Sequence, residues 1–555
     1  MSAEPEAQLP AGGRFAPLRE PVFRRIWSAS LFSNFGQLIL GVGAAWEMTR
    51  LSGSPAMVAL VQSAMMLPLM LVAMPAGAAA DMFDRRRIAI GGLSFAILSS
   101  LALTGLAFAG LTSPGVLLGF CVLIGSGVAF YGPAWQASIG EQVGQEHLPA
   151  AVALGTISYN VARSFGPAVG GVIVLLAGAQ AAFAVNALCY VPLLLAFGLW
   201  RRPMLPSRLP PERIDRAIYA GARYARHSSP IRRVVLRAFA FALASASTSA
   251  LAPLIAKDML GGDAGTYGLL LGATGVGAVL GALIVADVRD RLSTETALRV
   301  FALVGGGAIA VIAISRNVAV TGLSLALLGA VNILNIALLN VGVQLSVPRW
   351  VTARALSIYQ SALTGGIAIG AAAWGAVAAR AGLQATLFAS ALLVAATAAL
   401  GFVARLAEPD EDGLDTVDLG EDPQLALPVT MRSGPVTIEI DYCVDPSCAR
   451  EFYDAMRAVR RTRLRNGGFD WSIARNLADP AIWTERYSCS TWGDYLRIRA
   501  RFTQADLAAQ AAADAFMLPG CRHVVRRCLE RPFGSVRWRQ DSPDTHQDTG
   551  GIIAP

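Results

Sequence analysis

IAIGGLSFAILSSLALTGLAFAG, residues Ile88–Gly110, runs for 23 positions without a charged side chain. A helix of about 20 mostly apolar residues is long enough to cross the hydrocarbon core of a bilayer. Asp84-Arg85-Arg86-Arg87 stands directly before the run, and Leu111-Thr112-Ser113 leads straight into the next, 114–136. Worked outward in both directions, the same reading places spans at 26–49, 56–80, 88–110, 114–136, 151–177 and 180–199, then at 236–256, 266–286, 297–315, 319–344, 353–378 and 382–404. The runs are continuous rather than alternating, and hydrocarbon forces every backbone group to pair internally, so twelve helices are expected and a barrel is not.

The composition supports a body of this kind. Hydrophobic residues make up 54% of the chain and charged residues 15%, with a mean hydropathy of +0.50, whereas a soluble chain carries about 25% charge. Residues 1–404 hold 15 acids and 27 bases, but residues 405–555 hold 23 and 19 in far less chain. A membrane body followed by a water-soluble appendage accounts for that asymmetry. A soluble enzyme, a disordered chain and a secreted disulfide scaffold do not. The net charge of +8 is spread over short loops beside apolar runs, the pattern of membrane topology, so no nucleic-acid partner is expected. Four histidines, and seven cysteines with no CxxC pair, offer no metal set and read as reduced thiols, so neither metal nor cofactor is expected. Met1–Arg25 is polar and basic, and the first apolar run is itself long enough to span, which reads as a start without a cleavable leader.

Twelve spans put both ends on one face. The loops of the opposite face carry four bases, Arg50, Lys257, Arg316 and Arg380, so both termini are expected in the cytoplasm of a cell (inner or plasma) membrane protein. The long loop 200–235 divides the spans six and six. Ile214, Ile218 and Tyr224 give it the spacing of a short amphipathic helix on the lipid surface. At an offset of 200, Ala153, Tyr159, Asn160, Ala162, Gly166 and Gly170 meet Ala353, Tyr359, Gln360, Ala362, Gly366 and Gly370, as duplication of a six-helix unit requires. Repeats of this kind hold substrate between the halves. Polar side chains in hydrocarbon are site candidates: Asn34 and Gln37 in span one, Tyr131 and Trp135 in span four, Arg163 in span five, and Asn332 and Asn335 in span ten, with Glu47 a spare candidate for protonation. Asn and Gln also join helices at about 0.6 kcal/mol each, so each amide is either cavity lining or glue between helices.

Two motifs resemble the major facilitator superfamily. Gly77-Ala-Ala-Ala-Asp81-Met82-Phe83-Asp84-Arg85-Arg86-Arg87 is similar to its signature loop G-x-x-x-D-[RK]-x-G-[RK]-[RK], matched at Gly77, Asp81, Arg85 and Arg86 and departed from at Met82 and Asp84. Gly166-Pro167-Ala168-Val169-Gly170-Gly171 resembles the G-P-x-x-G-G end of the motif of its exporters and antiporters. Phe23-Arg-Arg-Ile-Trp27, Leu51-Ser-Gly-Ser54 and Gly132-Pro-Ala-Trp-Gln136 resemble the enterobactin-exporter-like branch, also called transmembrane secretion effectors, over most of residues 14–404. The resemblance implies a major facilitator fold of two six-helix repeats, gating by the two motifs, and export of a siderophore or drug-like molecule by proton antiport. Cys121 stands where proton-coupled relatives carry an arginine.

Residues 408–422 hold eight acids and no base, the composition of a solvated linker within 405–434. From Val436 the pattern reads strand, helix (Ser447–Arg465), strand (Phe469–Leu477), strand (Ile482–Ser490), broken helix (Trp492–Phe516) and strand (Val524–Glu530). That is the order of a ferredoxin-like domain at 435–534, before a tail at 535–555 that reads as disordered. The domain also looks like the dimeric α/β-barrel module of small monooxygenases, so a homodimer is expected through it. Asp470, Trp471, Trp483, Glu485 and Trp492 are its pocket candidates, but no nucleophile–base set appears and no enzyme is expected. The expected partners are the bilayer, a small-molecule substrate and protons. The alternatives are a fused sensor or monooxygenase-like enzyme, and an importer on the same fold.

Overall fold

The computed structural model describes residues 15–82, 84–144, 147–200, 226–348, 351–406 and 422–530, with Arg223, Val417, Leu419 and Gly420. The surroundings of Gly77 and the side chain of Asp81, the amphipathic segment at 214–224 apart from Arg223, most of the acidic linker and the tail from 531 lie outside the described residues. The chain forms two compact units. Met1–Ile218, Arg233–Gly342 and Leu356–Leu406 make one, and Tyr219–Arg232, Val343–Ala355 and Ala407–Pro555 the other.

The first unit is helical: α1 (Pro21–Leu51), α2 (Pro55–Met82), α3 (Arg85–Phe108), α4 (Pro114–Gln142), α5 (Leu148–Leu199), α6 (Ser229–Ala250), α7 (Ala264–Leu283), α8 (Thr294–Ile314), α9 (Val318–Gln344), α10 (Thr352–Ala381) and α11 (Leu383–Ala396), the last extended by Leu400–Val403. Local chemistry sets their ends. Asp84, Ser113, Asp263 and Ser293 each accept a backbone N–H of the first turn of α3, α4, α7 and α8. Ten helices among the described residues are long and apolar enough to cross a membrane, against the twelve expected. Ser28, Ser30, Ser33, Asn34 and Gln37 dilute the hydropathy of α1. Residues 151–177 and 180–199, expected as separate spans, are the two helical runs of the 52-residue α5, which meet at a kink where Gly178 takes the non-helical φ 79 and ψ 173.

The second unit contains a four-stranded sheet, β1 (Val436–Cys443), β2 (Phe469–Arg475), β3 (Ile482–Cys489) and β4 (Val524–Leu529), in the order β2-β3-β1-β4 with every pair antiparallel. Its helices are α12 (Ala449–Asn466), α13 (Trp492–Ala500) and α14 (Gln504–Asp514). Alternation in β1 turns Ile438, Ile440 and Tyr442 inward, against Phe452, Met456 and Val459 at helical spacing on α12. The expected elements of this region are found to within a few residues, except that the broken helix is a pair of helices separated by Arg501–Thr503.

Candidate functional site

Gly166-Pro167-Ala168-Val169-Gly170-Gly171 lies inside α5, and its small residues let two other helices approach. Cβ atoms built on Gly166 and Gly170 would meet Leu38 Cβ and Ile39 Cα of α1, each at 3.1 Å. On the other side, a Cβ on Gly171 falls 2.7 Å from the Gly268 Cα and 2.8 Å from the Ala264 carbonyl oxygen of α7. One on Gly275 of α7 falls 2.4 Å from the Ser164 Cα. The neighbours of Gly171 and Gly275 are backbone and cannot swing aside, so only glycine fits at those two positions. Ser164 Oγ seals the crossing by donating to the Asn160 carbonyl at 2.9 Å and the Gly275 carbonyl at 3.2 Å. Pro167 has no N–H to leave unpaired inside the helix. The repeat partners behave alike. Gly366 and Gly370 of α10 approach α6, where their Cβ atoms would lie 2.7 Å from the Phe239 carbonyl oxygen and 2.5 Å from that of Leu243. Beside the α5–α7 crossing lies an apolar groove of about 510 Å³ lined by Ser164, Phe165, Leu269, Gly272 and Leu323 among others.

Further contacts join the sequence halves near the α1–α2 turn. Lys257 Nζ donates to the Thr49 carbonyl at 3.3 Å, Trp46 stacks on Tyr267 with centroids 6.2 Å apart, and a Cβ on Gly375 of α10 would lie 2.5 Å from Ala59 Cβ of α2. Farther along α2, Ser63 Oγ donates to the Ala368 carbonyl at 2.7 Å. Charged pairs at the opposite helix ends join helices of one half. Arg85 at the start of α3 bonds Glu141 Oε1 (2.9 Å) and the Ala137 carbonyl (2.7 Å) near the end of α4, and Arg86 Nε donates to the Phe197 carbonyl at the end of α5 (2.9 Å). In the second half, Arg237 of α6 meets Glu295 of α8 at 2.7 Å, with Arg299 at 3.3 Å from the same oxygen. Arg237 and Asn335 line a small, half-open cavity of about 20 Å³ with Thr397 and Leu400.

The polar candidates sit in different places. Asn34 Nδ2 donates to Ser158 Oγ of α5 at 3.2 Å and is half-buried, as is Gln37 one turn on. Tyr131 is buried in the core of the first half, its hydroxyl 3.3 Å from Ser33 Oγ and its ring edge-on to Tyr190. Trp135 packs edge-on against Phe197. Arg163 and Asn332 are half-buried, and Asn335 is buried in the small cavity. Glu47 is paired with Arg50 at 2.8 Å. The sequence reading passed over Glu141, Arg237, Glu295 and the serines that bind Asn34 and Tyr131, because nothing local marks a side chain whose partner lies in a distant helix. Ser164 had a signal: it stands two residues before the motif. Among the described residues no group of three or more His, Cys, Asp or Glu side chains is placed to hold a metal.

In the second unit, Glu485 is fully buried and four times bonded. It accepts from Tyr442 Oη (2.8 Å), Trp471 Nε1 (2.8 Å), Arg463 Nε (3.1 Å) and Arg463 Nη2 (3.4 Å). Burial pushes the Glu485 carboxyl up, but the Arg463 guanidinium and these bonds outweigh it and hold it below the usual carboxylate value. Gln510 closes the network, accepting from Arg463 Nη2 at 2.7 Å and donating to Tyr442 Oη at 3.1 Å. Of the expected pocket residues, Trp471 and Glu485 therefore share one bonded cluster, while Trp483 packs on Phe452 and Trp492 on Tyr495.

A family model described as transmembrane secretion effector matches residues 12–533. The staphyloferrin A transporter of Staphylococcus aureus (strain NCTC 8325 / PS 47) is 23% identical over 268 residues, 47% of this chain and 66% of that relative, so the match spans just under two thirds of the relative's length. A bacterial homologue of the human lysosomal transporter Spinster, inward-facing and unoccupied, superposes with a TM-score of 0.58 at 14% identity, over 70% of this chain and 97% of that one. The POT-family transporter PepTSo gives 0.56 at 13% over 69% and 97%, and the nucleoside transporter NupG 0.54 at 13% over 70% and 99%. At such identities the likeness is one of fold, and the proteins that share it are transporters rather than enzymes.

Proposed function

The chain belongs to the transmembrane secretion effector family of major facilitator secondary transporters, and from that premise we propose that it exports small amphipathic molecules, siderophore- or drug-like, by alternating access coupled to proton antiport. The observation that carries the reading is the glycine crossing of α5 on α7, where Gly171 and Gly268 bring the two sequence halves to backbone contact. A crossing without side chains lets one half rock on the other while the pivot stays closed. With contacts between the halves gathered near the α1–α2 turn, and Arg85 and Arg237 paired within their own halves, the conformation reads as inward-facing. The siderophore class rests on the staphyloferrin A transporter as a relative.

In this reading the chain crosses the membrane twelve times. Helix α5 has 52 residues, roughly 80 Å at the α-helical rise, and a bilayer core is about 30 Å thick, so α5 crosses twice and turns at Gly178. Both termini then share the cytoplasmic face with the basic loops. Asn34, Gln37, Arg163, Asn332 and Asn335 supply amides and a cation to the substrate path, with Tyr131 and Trp135 behind them. Gly77, Asp81, Arg85 and Arg86 gate its inner end, and Gly166, Pro167, Gly170 and Gly171 form the pivot. The sheet order β2-β3-β1-β4 supports a ferredoxin-like domain at the C-terminal end, serving as a cytosolic dimerisation module.

The test is transport in everted membrane vesicles with an imposed proton gradient, assayed with a siderophore and with an amphipathic dye. Accumulation that collapses when the gradient is dissipated is expected. Accumulation only in right-side-out vesicles would replace export by import, and transport indifferent to the gradient would remove antiport.

A further inference from the structure

Leu518-Pro519-Gly520-Cys521 has the sequence of a type II turn, with proline presetting the second position and glycine supplying positive φ at the third. The turn is formed: Gly520 has φ 86, and the Cys521 N–H donates to the Leu518 carbonyl at 3.2 Å. It is anchored on the end of β1, where the Leu518 N–H donates to the Cys443 carbonyl at 2.9 Å and Val444 pairs with Met517 in an antiparallel bridge. Doubling back through Pro519 and Gly520 therefore returns Cys521 to the end of β1, where Cys443 stands. The Cys521 side chain as a polar neighbour first, then burial and the charges of Cys521 and Asp479, push the Cys443 thiol up from its ordinary value. Both cysteines are free, Cys443 half-buried and Cys521 exposed.

We propose that Cys443 and Cys521 form a reversible disulfide site that a hydroperoxide closes. The exposed Cys521 meets the oxidant. Its sulfur attacks the O–O bond, an S–O bond forms as O–O breaks, and the departing hydroxide takes up a proton and leaves as water. The Cys443 sulfur then attacks that sulfenic acid. The S–S bond forms, S–O breaks, and the second oxygen leaves as water with the Cys443 proton. Each sulfur gives up one of the two electrons that reduce the peroxide, and a dithiol reverses the change. The bond fastens the loop before β4 to the end of β1. That loop carries His523, whose Nε2 lies 3.2 Å from Asp514 Oδ2 and whose ring stands edge-on to Tyr442 with centroids 4.9 Å apart. Cys489 is excluded from such chemistry, because burial pushes its thiol up to about 12.

The experiment treats the full chain in detergent with hydrogen peroxide, labels remaining thiols with a maleimide, and maps peptides by mass spectrometry. Labelling at Cys443 and Cys521 is expected to be lost together, with one linked peptide pair that dithiothreitol abolishes. Cys521→Ser should leave Cys443 labelled and Cys443→Ser should leave Cys521 as an unlinked sulfenic or sulfinic acid, while Cys448→Ser and Cys528→Ser keep the link. A Cys443 that stays labelled while Cys521 passes to sulfinic acid would overturn the proposal. So would a wild-type link from Cys521 to Cys448 or Cys528.

Discussion

Glu485 and Arg463 are a buried ion pair whose value lies in completeness, since every carboxylate oxygen has a donor. Removing one partner of such a pair costs about 3–5 kcal/mol, because the other charge stays in place without its counter-charge. Glu485→Gln is therefore expected to lower the stability of the sheet domain by that order, read by denaturant titration with tryptophan fluorescence. The Glu485 carboxyl is depressed in the fold, so its contribution is complete above the ordinary carboxylate value of about 4.3 and is lost as pH falls through the lower folded value. The variant should flatten that acid limb, and an unchanged limb would assign it to other groups. Arg85–Glu141 is different in kind. Both side chains are partly solvated, so Glu141→Gln should change stability by less than about 1 kcal/mol. Transport should nevertheless fall, measured as initial rate in vesicles, if the pair holds the α3–α4 end during the conformational cycle. The arginine was legible in the sequence because it sits in a basic cluster with acids beside it. Glu141 was not, since pairing over 56 positions depends on how α3 lies against α4.

At the scale of elements, the crossing of α5 on α7 is fixed by atoms that are missing. Gly171→Leu and Gly275→Val each place a side chain where α7 or α5 has backbone, at distances no rotamer relieves. Overpacking of this sort costs about 1–3 kcal/mol, too little to unfold a bundle and enough to push one helix off the other. Both variants should insert and express normally while transport drops at least to about a tenth, the factor that 1.4 kcal/mol represents. Full transport in both would make the crossing ordinary packing. The glycines on α5 were readable as a motif, whereas their partner helix was not, because a small-residue face says that a helix is approached and not by which one. The repeat is clearer in the structure than in the sequence. Gly166 and Gly170 face α1, and Gly366 and Gly370 face α6, so the same offset of 200 recovers the same contact in each half. The boundary between the fifth and sixth spans was legible for a different reason: apolar composition on both sides of Gly178 amounts to two membrane lengths, and the backbone leaves helical geometry at that glycine.

For the whole molecule, the charge asymmetry at about residue 405 was the most legible feature, and Ala407–Pro555 is the longest segment of the second compact unit. What composition could not show is that this unit also gathers Tyr219–Arg232 and Val343–Ala355, segments that take in the helix ends Ser229–Arg232, Val343–Gln344 and Thr352–Ala355. A domain hung on a passive linker would be dispensable, whereas one that includes connecting segments of the transporter would not be neutral. The sheet domain has its own core around Ile438, Phe452, Met456 and Tyr487, and Val417 is already bonded to Phe502, so a fragment of residues 417–530 should fold alone with a cooperative transition. Truncation after Leu406 should leave a membrane body that inserts, since its helices pack among themselves. Its transport rate should be reduced rather than lost, because 219–232 and 343–355 are left without their companions. The measurements are circular dichroism of the fragment and vesicle transport by the truncated chain at matched expression. Wild-type transport after truncation would make the domain a passive appendage, and complete loss with normal insertion would make it a component of the transport machinery itself.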